Sequence, residues 1–98
     1  MLFPTACEAL QKQKCLELRY EGLTRIVEVH AVGVSGNGTE FMRVWQVLGG
    51  SHSGAAEGWK LMRLDDARSP RITEFDSAAP RDGYVRDDPL LDTIYCQV

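Results

Sequence analysis

Between Leu16 and Leu64 the chain alternates apolar and polar residues in short runs, and each run stops at a glycine turn. Leu16, Leu18 and Tyr20 fall on one side of the first run, with Glu17 and Arg19 on the other. A period of two marks a half-buried strand and is incompatible with a helix, which repeats near 3.6 residues. Glu21-Gly22 closes this run with a hairpin-like turn. In Leu23–His30, Arg25, Val27 and Val29 share one face, and Ile26, Glu28 and His30 the other. Gly36-Asn37-Gly38 is the strongest turn signal, because Asn-Gly takes up positive φ readily. Beyond it Phe41, Arg43, Trp45 and Val47 face one way, and Met42, Val44, Gln46 and Leu48 the other. Apolar groups on both faces predict a strand that is central or sits at a barrel closure. Gly49–Gly58 is a loop of small and polar residues, longer than a tight hairpin needs. Trp59–Leu64 resumes as a strand, and Arg71–Phe75 reads as a last short one. The expected architecture is mainly β: a small barrel or strongly bent sheet of about five strands.

Ahead of the strands, Pro4–Lys14 reads as a short helix, with Thr5 as its expected cap and Glu8 in capping-box position. Ala6, Ala9 and Leu10 favour that conformation. After Phe75 the chain is broken by Pro80, Gly83 and Pro89; Leu90, Leu91, Ile94 and Tyr95 then recur at helical spacing and predict a short terminal helix docked on the barrel. With 98 residues the chain reads as one domain over 1–98, with a helix at 4–14, a barrel at 15–75 and a C-terminal tail at 76–98.

A 44% hydrophobic and 26% charged composition is that of a packed domain and excludes wholesale disorder. The net charge of -3 excludes a general nucleic-acid coat but leaves a local basic patch open. No apolar run approaches the roughly 20 residues of a membrane helix, and no leader pattern is present, so the expected location is cytoplasmic, with no membrane partner. Cys7, Cys15 and Cys96 have neither a CxxC motif nor zinc spacing. They are expected to be reduced, dispensable thiols, with no metal and no cofactor.

Arg25, Arg43 and Arg63 stand in three different strands, at positions where Thr, Val or Tyr is commoner. With His30 they form a candidate anion site, because guanidinium forks match phosphate geometry. Arg43 is the sharpest of them: it shares a face with Phe41 and Trp45, and an arginine on an apolar face needs a partner. That partner is either an anionic ligand or an internal carboxylate such as Glu17, Glu28 or Asp65. Gln46, Ser51, His52 and Ser53 add neutral groups able to read a base edge or ribose, though the loop residues fit a solvated loop equally well. Trp45 and Trp59 can stack a base or pack the core. There is no nucleophile motif, Asp65-Asp66 reads as a turn, and the glycines from Gly33 to Gly38 lack the Lys-Ser/Thr of a phosphate loop. The chain is expected not to be an enzyme.

Several segments in order carry a family resemblance: Leu18-Arg19-Tyr20 with Gly22, then Arg25, Val27 and His30, then Met42-Arg43-Val44-Trp45-Gln46, then Gly58-Trp59-Lys60 and Met62-Arg63-Leu64-Asp65, with Pro80-Arg81-Asp82-Gly83-Tyr84 in the tail. The set resembles the WYL domain, the Sm/SH3-like barrel that serves as sensor in bacterial transcription regulators. The family's naming triplet aligns on Glu40-Phe41-Met42, so its Trp is replaced, and Ala67 stands where a bulky aliphatic residue is usual. The resemblance implies a regulatory module that senses a nucleotide or single-stranded nucleic acid through a basic barrel face. The stretch ahead of the barrel is too short for a DNA-reading module. The resemblance therefore points to a nucleotide or oligonucleotide ligand and a protein partner that carries the DNA-binding domain. The alternative is a structural barrel that mediates homodimerisation or docking.

Overall fold

The computed structural model describes residues 2–51 and 56–98. A helix, α1 (Phe3–Lys12), precedes strands β1 (Lys14–Tyr20), β2 (Leu23–Val34), β3 (Glu40–Gly49) and β4 (Gly58–Arg63). A single 3-10 turn (Leu64–Asp66) leads into β5 (Ala67–Asp76), and β6 (Thr93–Gln97) closes the chain. All pairings are antiparallel, in the order β4-β3-β2-β1-β5, with β6 also on β2. The result is a barrel-like, mainly β fold, as the alternation from Leu16 onward predicts.

β2 is the strand that makes the sheet bend. Its first half pairs with β1 and its second half with β6, while β3 runs along its other edge. The β2–β3 register slips between Ile26 and Val27 and again between Val29 and Ala31, leaving His30 unpaired in the ladder. Each such bulge sharpens the local twist and re-aims a side chain. Arg25 and every residue from Val27 to Gly33 are buried, because both faces of β2 are covered. β2 lies at the middle of the strand order, and β3, with its two-sided apolar pattern, is also an interior strand, paired with β2 and β4.

Inside the bend lies the core: Leu16 and Leu18 from β1, Val27, Val29 and Val32 from β2, Met42 and Val44 from β3, Met62 from β4. Ala6, Ala9 and Leu10 of α1 close one end of it. On the outer face, residues 77–92 cross the sheet as an irregular strap. Ser77 N–H donates to Gln13 O at 2.9 Å, Trp59 Nε1 to Asp82 O at 3.2 Å, and Asp92 N–H to Val34 O at 2.9 Å.

Three expectations need correction. The helix begins at Phe3, before Thr5, and no side chain caps it. Leu2 and Phe3 pack against the core and set the entry point, while Pro4 sits in the first turn, where its missing N–H is not needed. The predicted terminal helix is absent: Thr93–Gln97 is a strand, because the open edge of β2 offers backbone partners that a lone helical turn lacks. The thiols are not all free. Cys7 of α1 and Cys96 of β6 form a disulfide across 89 residues, and Cys15 is the buried free cysteine. An odd count does not forbid one pair, and only the fold shows that β6 lies beside α1.

Candidate functional site

The turn between β1 and β2 places the most unusual side chain of the molecule. Glu21 and Gly22 both have positive φ, at 54° and 78°, the pattern of the tight hairpin turn that suits twisted strands. That turn sets Leu18 opposite Arg25 and Leu16 opposite Val27. Arg25 therefore shares the inward face with Val27 and Val29, at the mouth of the barrel, and is only 3% exposed. Its Nη1 donates to Gln46 Oε1 at 3.3 Å and its Nη2 to Glu21 Oε1 at 3.1 Å. The guanidinium lies 5.2 Å from the Tyr20 ring centroid. Its Nε is buried with no hydrogen-bond partner. Gln46, fully buried, donates from Nε2 to Gly50 O at 3.0 Å. Beside them Lys60 Nζ donates to Ser51 Oγ at 3.2 Å. Tyr20, Glu21, Arg25, Ser51, Lys60 and Met62 line a cavity of ≈ 220 Å³.

A comparison with Glu28 shows how exposed Arg25 is electrostatically. Glu28 is 2% exposed, and its carboxylate accepts from Arg81 Nε at 2.7 Å, Arg81 Nη2 at 3.1 Å and Ala78 N–H at 2.7 Å. Burial pushes the Glu28 carboxyl up, but the Arg81 fork and the Ala78 N–H outweigh it and hold the pKa below the ordinary range. Arg25 has a neutral amide and one oxygen of Glu21, whose side chain is 55% exposed. A buried charge compensated by a solvated carboxylate is weakly compensated.

The other predicted residues lie elsewhere. His30 is fully buried beneath the strap, between Trp59 and Tyr84, at 4.6 and 5.1 Å between ring centroids. Its Nδ1 bonds Glu28 O and its Nε2 accepts from Arg81 N–H, both at 3.0 Å. Burial lowers its pKa from the usual histidine value. Arg43 is on the opposite face of β3 from Gln46, with Nε 3.0 Å from Asp88 Oδ2. Arg63 is exposed and lies 3.7 Å from Asp66. The carboxylates that pair with the three arginines are thus Glu21, Asp88 and Asp66, not Glu17, Glu28 or Asp65. His52 and Ser53 fall outside the described residues.

The structure brings together Arg25, Gln46 and Ser51, and separates them from His30, Arg43 and Arg63. Tyr20, Glu21 and Lys60 join the first group, none of them a candidate site residue in the sequence. For Lys60 a signal existed: in Gly58-Trp59-Lys60 it alternates with Trp59 and so faces inward with Met62. Among the described residues no cluster of His, Cys, Asp and Glu is placed to hold a metal ion, and no helix is long and apolar enough to cross a membrane. Compared with protein-family models, curated proteins and solved structures, the chain matches none.

Proposed function

We propose that the chain is a ligand-binding module, and that its ligand is a small phosphate-bearing anion, a nucleotide or the end of a single-stranded nucleic acid, held at the barrel mouth. The observation that carries this is the weakly compensated Arg25 guanidinium, with Lys60 and Ser51 on the same cavity wall. An anion there gains charge-assisted bonds in a partly dehydrated setting, where they are stronger than in water. The proposal keeps the sensing role implied by the resemblance to the WYL domain, but narrows its site from a basic face to one pocket. The residues present point to binding and not to a reaction: Arg25 and Lys60 supply charge, Gln46 orients the guanidinium, and none is set up as a nucleophile beside a base.

The test is a titration of adenosine monophosphate and a five-nucleotide single strand into wild type, Arg25→Lys, Lys60→Gln and Arg68→Ala at two salt concentrations. Arg25→Lys keeps the charge and loses the fork. Loss of one charge-assisted contact weakens binding about tenfold to a hundredfold. Arg68, bonded to the Asp65 and Ala67 carbonyls of its own turn, serves as the control and leaves affinity unchanged. Equal affinities in all four proteins, or no binding by wild type, reject the proposal.

A further inference from the structure

On the outer face, between β3, β4 and the strap, lies a second cavity, of ≈ 280 Å³. Trp59, Tyr84, Val85 and Pro89 supply apolar walls, and Arg43 and Asp88 form the polar end. The volume is just below the roughly 300–1,000 Å³ of drug-sized sites and suits a single ring system. Val85 is 66% exposed at its edge, an apolar side chain left in water beside an apolar hollow.

The side-chain donors of the wall are already used. Trp59 Nε1 donates to Asp82 O, and the Tyr84 hydroxyl donates to His30 O at 3.2 Å. Asp88 is also engaged at both oxygens, accepting from Leu90 N–H on Oδ1 and from Arg43 Nε on Oδ2, each at 3.0 Å. Arg43 is held through Nε alone, so its two Nη groups remain as donors, on a side chain 31% exposed. The Asp88 carboxylate cancels its charge locally. The polar end is therefore a neutralised fork of donors, without an equivalent acceptor.

We propose that this cavity binds a planar, uncharged ring carrying a carbonyl acceptor, with the ring against Trp59 and Tyr84 and the carbonyl on the Arg43 fork. An anionic ring is disfavoured, because the Asp88 carboxylate lies within one guanidinium of it. A ring without a carbonyl leaves the Nη donors unsatisfied once water is displaced. The site is on the other face of β3 from the mouth pocket, takes a different chemistry and stands independently of it.

The experiment follows the Trp59 indole N–H and the Gly83 amide by two-dimensional NMR during titration with uracil, nicotinamide, benzoate and toluene. Uracil and nicotinamide are expected to give saturable shifts at both signals, and benzoate and toluene to bind more weakly. Arg43→Met should weaken uracil about tenfold to a hundredfold, while Arg68→Ala leaves it unchanged. Val85→Asp, at an exposed position, should also weaken it, and tests the site even if Arg43→Met does not fold. The proposal is overturned by an absence of saturable shifts, by unchanged uracil affinity in either cavity variant, or by benzoate binding more tightly than nicotinamide. Uridine and pentauridylate distinguish the source of the ring: equal affinity per ring means a free small molecule, and tighter binding of the polymer means a strand.

Discussion

Neutral His30 is the protonation state that the folded protein favours. Glu28 O accepts from Nδ1–H, and Nε2 must stay unprotonated to accept from Arg81 N–H. A second ring proton would set two donors against each other inside the strap. The groups facing the ring are Glu28, Arg81 and Tyr84, and burial dominates in lowering its pKa. The unfolded chain therefore takes up a proton near the ordinary value of about 6.5, before the folded chain does. Stability is full above that pH and falls as the pH drops from there toward the lowered folded value. Urea unfolding from pH 7.5 to 5 should show this loss, and His30→Asn should flatten it; parallel curves would refute the assignment. Below the ordinary carboxylate range Glu28 adds a second loss of the same sign. Glu28→Ala leaves Arg81 without its carboxylate and Ala78 N–H without an acceptor. Because Arg81 is partly exposed, the expected cost is near the low end for a broken buried pair, about 3 kcal/mol by denaturant melts. None of this was legible in the sequence. Arg81 lies 53 positions from Glu28, and nothing local in Pro80-Arg81-Asp82 distinguishes a buried fork from a solvated turn. Arg25 was legible only as a strand arginine sharing a face with Val27 and Val29, while Arg43 was the one set apart by its apolar neighbours.

At the level of elements, legibility follows what each element depends on. β1 to β4 are local: their alternation and glycine turns are visible in single runs, and Gly22 and Gly38 do take positive φ. β6 is not local. Leu90, Leu91, Ile94 and Tyr95 have helical spacing, but β6 is made by the free edge of β2, some 60 positions earlier. Gly33 is what allows that docking. A Cβ at this position would collide with the Thr93 carbonyl oxygen and come within 3.2 Å of Leu91 Cδ1. Gly33→Ala should therefore lift β6 from β2, at a cost of about 1–3 kcal/mol. Hydrogen exchange should accelerate at Ile94 and Cys96 while β1 amides stay protected. Unchanged exchange in β6 would show that the edge absorbs the methyl group.

Across the whole molecule, many of the basic residues are held in pairs with carboxylates. Lys12 is matched to Glu8, Lys14 to Asp76, Arg71 to Glu17 and Arg81 to Glu28. Of the three strand arginines read in sequence as one surface, Arg25 turns into the barrel mouth, while Arg43 and Arg63 stand on the outer face of the neighbouring strands β3 and β4. The disulfide is the other feature that only the whole fold reveals. Closing a loop of 89 residues restricts the unfolded chain, and the chain-entropy estimate for such a loop is about 4–5 kcal/mol. The paired variant Cys7→Ser/Cys96→Ser, or wild type in reductant, should unfold at clearly lower urea. Identical midpoints would mean that the bridge does not constrain the unfolded chain.

The same bridge decides how the molecule answers a mechanical load. Cys7 and Cys96 lie close to Leu2 and Val98, so tension applied between those two residues passes through α1, across the sulfur bridge and out through Val98. The hydrogen-bond ladders of β1 to β5 hang in the slack part of that circuit and carry almost none of the pull. Oxidised, the span from Leu2 to Val98 lengthens by little more than the residues outside the bridge; reduced, the ladders become the path for the force, and the same pull unravels the sheet.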